Sequence, residues 1–139
     1  MPDILSAEEA LAKKGFYPTT VVGVSMLPLL RQNVDTVIIE PLTAPAKKYD
    51  VVLFRRDGQL VLHRIVAVEE DCYIIRGDNA PGIDRVPPSH LLGKMTQFTR
   101  STKQYSVNGL GYKLYSRLHT GLFPLRQLLF KIKRRLHGA

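Results

Sequence analysis

Tryptophan is absent from this chain of 139 residues, and cysteine occurs once, at Cys72. A single thiol excludes an internal disulfide, and with it the disulfide-stapled secreted module. Long apolar runs are missing too. The longest uncharged stretches, such as residues 19–30, fall well short of the ~18–20 apolar residues that a membrane-spanning helix needs. The amino-terminal stretch MPDILSAEEALAKKG starts acidic and holds no apolar segment, so it does not read as a secretory signal. Acidic side chains are lacking from one end altogether. Residues 1–84 carry nine Lys/Arg and all twelve Asp/Glu, whereas residues 85–139 carry eleven Lys/Arg and no acid. The net charge of +8 therefore sits in a carboxy-terminal segment suited to an anionic surface, or left as a solvated basic tail.

What remains is ordinary globular composition, with 45% hydrophobic and 23% charged residues in a chain of one domain's length. Ser6-Ala-Glu-Glu9 has capping-box spacing and Gly15 supplies a stop, which predicts a short helix over 7–14. Strands are predicted over 17–24 and 34–40, the second closed by Pro41 and followed by a loop over 43–48. Two more, 51–56 and 60–68, flank Asp57-Gly58, a strong hairpin signal. Further strands are expected over 72–76 and 91–98, separated by a Gly-, Pro- and Asp-rich loop over 77–88. Short strands at such spacing predict a mainly β, antiparallel barrel-like or sandwich domain. After Gly111 the period changes: Leu118, Leu122, Leu125, Leu129, Ile132 and Leu136 form one helical stripe. Pro124 is expected to divide it into two helices. The division is thus a β domain with a short amino-terminal helix over 1–103 and a basic amphipathic helical tail over 104–139.

Ser25, in Gly23-Val-Ser25-Met26-Leu-Pro28, stands on a sharp corner at a strand end, where its hydroxyl can project. It reads as a turn serine or, given a base to take its proton, as a nucleophile. His63, in Val61-Leu-His63-Arg64-Ile65, is the candidate base, although a histidine on an apolar strand also serves as a core residue. His90, His119 and His137 lie in a loop or the tail and compete poorly. Asp78 and Asp84, six residues apart in the Gly/Pro loop, could orient an imidazole, or could bond their own turn. Cys72, His63 and His90 do not fall at zinc spacing, and there is no Gly-rich phosphate loop, so neither metal nor cofactor is expected.

Taken in order, Gly-x-Ser25-Met26-x-Pro28, Tyr49-Asp50-Val51-Val52-Leu-Phe54, Val61-x-His63-Arg64 and Gly77-Asp78-Asn79 with Asp84 resemble the conserved boxes of the type I signal peptidases. Self-cleaving phage and SOS repressors are distant relatives in that superfamily. The resemblance covers residues 17–98. Histidine at 63, where typical bacterial members carry lysine, together with the Asp78/Asp84 spacing, is similar to the endoplasmic-reticulum and archaeal branch. The resemblance implies a signal-peptidase/repressor-like β fold and a serine endopeptidase that cuts signal- or leader-type peptides. It implies Ser25 as nucleophile, His63 as general base, Asp84 as the carboxylate that positions the imidazole with Asp78 in support, and the Ser25 N–H as an oxyanion donor. The edge strand over 17–22 would bind an extended substrate by strand addition, with Val22, Gly23, Val24 and Met26 as substrate-binding residues and small side chains preferred near the cut. Two departures stand out. Gly23 replaces the serine that assists the oxyanion hole in many bacterial members, and the family's amino-terminal membrane anchor is not seen.

Two alternatives remain. A repressor-like domain would cleave itself, but no helix-turn-helix precedes the β domain and no Ala-Gly dipeptide is present. A non-catalytic adaptor would use the basic tail on nucleic acid or an acidic partner, but the tail's aromatics follow helical packing rather than a stacking platform, which makes nucleic acid the weaker partner. The expected partners are a peptide or protein substrate and, through residues 112–137, an anionic membrane surface. That would place the chain in the cytoplasm or on the cytoplasmic membrane face.

Overall fold

The apolar alternation resolves into eight strands in the computed structural model, which describes residues 4–23 and 25–137 apart from the side chains at 130 and 137. The first element is helix α1 (Ile4–Lys14). It buries Ala7 and Leu11 and stops at Gly15, whose φ of +77° only glycine adopts cheaply. Its start corrects the sequence reading: Ser6 lies inside the helix rather than at its cap, because Ile4 also packs against the core and draws the first turn into helix.

Strand β1 (Tyr17–Thr20) pairs antiparallel with β2 (Thr36–Glu40), and the pairing ends at Thr20 opposite Thr36. The strand is shorter than expected because Gly23, at φ +82°, turns the chain away. Strands β3 (Val51–Arg56) and β4 (Gln59–Val68) form the expected hairpin. Asp57 and Gly58 both take positive φ, 52° and 76°, as a turn matched to right-handed strand twist requires. After β5 (Tyr73–Arg76), the loop expected over 77–88 contains a three-residue strand, β6 (Asp84–Val86). Then come β7 (Leu91–Arg100) and β8 (Lys103–Ser106), the second of which the sequence does not announce.

The sheet runs β1-β2-β7-β3-β4-β5-β6, with β8 added beside β7, and every pairing is antiparallel. Strand β3 is buried on both faces. Val51 and Leu53 enter one apolar cluster with Met26, Leu30 and Met95, while Val52 and Phe54 enter another with Ile65, Tyr73 and Ile75. That explains its uninterrupted Val-Val-Leu-Phe run.

Helices α2 (Leu110–Gly121) and α3 (Phe123–His137) complete the chain. Pro124 falls in the first turn of α3, where its missing N–H costs nothing. The tail is not set apart at residue 103. β8 begins there, and α2 lays Tyr112 and Tyr115 on the first cluster while Leu114 and Leu118 face solvent. Among the described residues, no helix is long and apolar enough to cross a membrane.

Candidate active site

The corner at Gly23 delivers Ser25 to a turn pinned from below. Met26, Leu29 and Leu30 are buried, and the Leu30 N–H donates to the Met26 carbonyl at 3.0 Å. Ser25 itself stays half-buried at the rim. From the other side, β4 presents His63 opposite Val52 of β3, only 7% exposed and edge-on to the Phe54 ring. Ser25 Oγ and His63 Nε2 meet at 3.0 Å across 38 residues of sequence. That is a distance at which an imidazole can take a hydroxyl proton. Burial pushes the imidazole below its ordinary 6.5, and the Arg56 charge adds to the effect, while Asp84 and Asp78 oppose it. The ring is therefore neutral, and able to accept a proton, at neutral pH.

Gly77 completes the contact. A Cβ there would lie 2.7 Å from the Ser25 carbonyl oxygen and 3.0 Å from His63 Nε2. The next residues tie this strand end to the serine turn: the Asn79 N–H donates to the Ser25 carbonyl at 2.7 Å, and the Asp78 N–H faces Met26 Sδ at 3.4 Å.

The two carboxylates do not orient the imidazole, which corrects the expectation for both. His63 Nδ1 is buried and has no hydrogen-bond partner among the described residues. Asp78 is drawn inward by Arg64, which is fully buried beside His63 on β4. Arg64 Nε and Nη2 donate to the two Asp78 carboxylate oxygens at 2.8 and 2.9 Å, and Tyr115 Oη donates to one of them at 2.9 Å. Burial alone would lower the guanidinium's proton affinity, but Asp78 more than offsets it, and Arg64 is held charged. Burial and the Asp78 carboxylate together push the Tyr115 phenol upward. Asp84 turns outward instead, accepting from Arg56 Nη1 at 2.7 Å. It lines the cleft without touching the ring by hydrogen bond.

Arg56 is thus a part of the site that the sequence reading does not name, while Arg64 and Gly77 stand in its family-like boxes without a role assigned to them. Arg64 carried a usable signal, since an arginine in an apolar strand requires a buried carboxylate partner. No spacing rule announces Arg56 or Gly77.

An open cleft of about 450 Å³ surrounds the pair. Residues 19–22, residues 59–63 of β4, and Ala80, Gly82, Ile83 and Asp84 are among those that line it. Both terminal strands of the sheet, β1 and β6, therefore reach the same cleft. Of the residues expected to bind substrate, Val22 lines the cleft half-exposed, Met26 lines it from the core, and Gly23 shapes the corner. Val24 lies outside the described residues.

For metals, Glu69, Asp71 and Cys72 bring one ligand atom each within 4.8 Å at the β4–β5 turn. Glu69 is already engaged there by Arg85 at 2.9 Å. The group lies outside the cleft lining. No protein-family model matches the chain, and no curated protein matches it.

Proposed function

We propose that this chain is a serine endopeptidase of the signal-peptidase type, working through a Ser25–His63 dyad. The 3.0 Å contact between Ser25 Oγ and a buried, neutral His63 Nε2 carries the reading. As Oγ attacks the scissile carbonyl, Nε2 takes the hydroxyl proton. The ring then returns that proton to the leaving amine, and a water activated the same way frees the acyl group. The Ser25 N–H serves the developing oxyanion. Asp78 and Arg64 act as positioning residues, holding the Gly77–Asn79 segment against the serine turn.

The substrate is an extended peptide. Among the described residues, β1 has a sheet neighbour on one side only, and its cleft-facing end offers main-chain partners for strand addition. Small side chains beside the cut follow from the resemblance to signal peptidases. The ordered boxes from Ser25 to Asp84 support membership of that family, in its histidine-bearing branch.

The test uses leader-type peptides with small residues before the cut, and a serine-directed covalent probe mapped by mass spectrometry. Ser25→Ala and His63→Ala should each abolish nearly all turnover, the double variant should be no worse, and the probe should label Ser25. Near-wild-type turnover in His63→Ala would overturn the reading.

A further inference from the structure

Helix α3 presents apolar side chains that nothing among the described residues covers. Leu125, Leu128, Leu129, Ile132 and Leu136 are 45–75% exposed. At the angular step of an α-helix they fall in one sector of roughly 100°, the width of a buried face. Lys133 borders that sector on one side and Lys131 and Arg135 on the other, with Arg134 behind. The inward side of the helix is anchored separately: Phe123 lies beneath the Arg76 guanidinium, 3.3 Å from its central carbon, and Arg126 Nη1 donates to the Asp78 carbonyl at 3.0 Å. The apolar sector is therefore a surface of the folded protein.

Charge selects what can cover it. Residues 85–139 hold eleven Lys/Arg and no carboxylate side chain. A second copy laid face to face would set these cationic borders against one another with no acid in either tail to pair them. Nucleic acid would satisfy the cations but leave five large apolar side chains in water. An anionic lipid surface satisfies both, taking the apolar sector among its acyl chains while the flanking lysines and arginines reach phosphates. At 15 residues, α3 is too short to span a bilayer and the right shape to lie in one face of it.

We propose that the α3 face built on Leu125, Leu129, Ile132 and Leu136 docks the protein on anionic phospholipid. The proposal does not depend on the peptidase reading. The full-length chain is sedimented with phosphatidylcholine vesicles with and without phosphatidylglycerol. Binding should require phosphatidylglycerol and should be released by salt. Lys131→Gln/Lys133→Gln/Arg135→Gln should weaken it roughly a hundredfold, the product of three surface cations. Leu129→Ser/Ile132→Ser/Leu136→Ser should weaken it at least as much, with circular dichroism and melting unchanged because all six positions face solvent. Wild-type affinity in either triple variant would overturn the proposal. So would a chain that ignores vesicles but dimerises through Leu129 and Ile132, or one that binds DNA with the leucine positions irrelevant.

Discussion

Gly77→Ala tests the site at its tightest point. Gly77 does not sit in the left-handed region, so alanine is conformationally allowed and only space opposes it. Its methyl would meet the Ser25 carbonyl oxygen at 2.7 Å, about 0.7 Å short of the 3.4 Å where ordinary contact begins. It would also press on His63 Nε2 at 3.0 Å and Cδ2 at 3.1 Å. Neither neighbour yields freely. The serine carbonyl is held by the Asn79 N–H, and the imidazole is packed against Phe54. The expected relief is therefore an opening of the 3.0 Å contact between Ser25 and His63. Overpacking of this kind costs about 1–3 kcal/mol of stability. A misplacement approaching 1 Å costs on the order of a hundredfold in rate, so turnover should fall between roughly tenfold and a hundredfold. Steady-state peptide cleavage and a thermal melt read the two quantities separately. Gly111→Ala, in α2 with nothing within 4 Å, is the control and should be neutral or slightly stabilising. Wild-type turnover in Gly77→Ala would refute the claim that this close approach sets the dyad.

Asp78 and Asp84 should separate sharply. Asp78→Ala strands a buried guanidinium and should cost about 3–5 kcal/mol, lowering the melting temperature by about 10–20 °C. Asp84→Asn breaks only a partly exposed ion pair with Arg56 and should leave turnover within about tenfold of wild type; a loss near ~10⁴-fold would put that carboxylate on the imidazole after all. Turnover should rise with pH along an acid limb centred below 6.5, since burial lowers His63 and only the neutral ring accepts a proton; an acid limb centred above 6.5 would contradict that. The same shift makes protonation oppose folding: the His63 contribution is complete above the unfolded value near 6.5 and is lost as pH falls below it toward the lower folded value. A melting temperature that holds constant through that window would count against a buried, neutral ring.

The strands legible in the sequence were those whose side chains alternate or run apolar. The β3–β4 hairpin declares itself through Asp57-Gly58, and the break between α2 and α3 through Pro124. β8 was illegible because all four of its residues, Lys103 to Ser106, are exposed, so no burial pattern marks it. β6 hid in a loop of turn formers because its three residues are held by pairing with β5 rather than by their own propensity. At the site, Ser25 and His63, which the resemblance pairs, stand 3.0 Å apart. The carboxylates were misjudged for a different reason. Two aspartates six residues apart look alike in sequence, and their partners, Arg64 on β4 and Arg56 on β3, lie 14 and 28 residues away, where only the folded sheet brings them in reach.

Asp78 leaves almost none of its polar atoms idle. Its side chain holds Arg64 and Tyr115, and its carbonyl receives Arg126 and lies 2.8 Å from His119 Nε2. One step along the chain on either side, Gly77 and Asn79 touch the serine turn. The tail and the Ser25–His63 contact therefore meet at one short segment, residues 77–79. Any coupling through that segment would be reciprocal: free energy that a ligand on α3 lent to residues 77–79 would be lent back by a ligand in the cleft. A chain cut after Ser106 would lose Tyr115, His119 and Arg126 together. It would report on a loosened Ser25–His63 contact as much as on the loss of the α3 face.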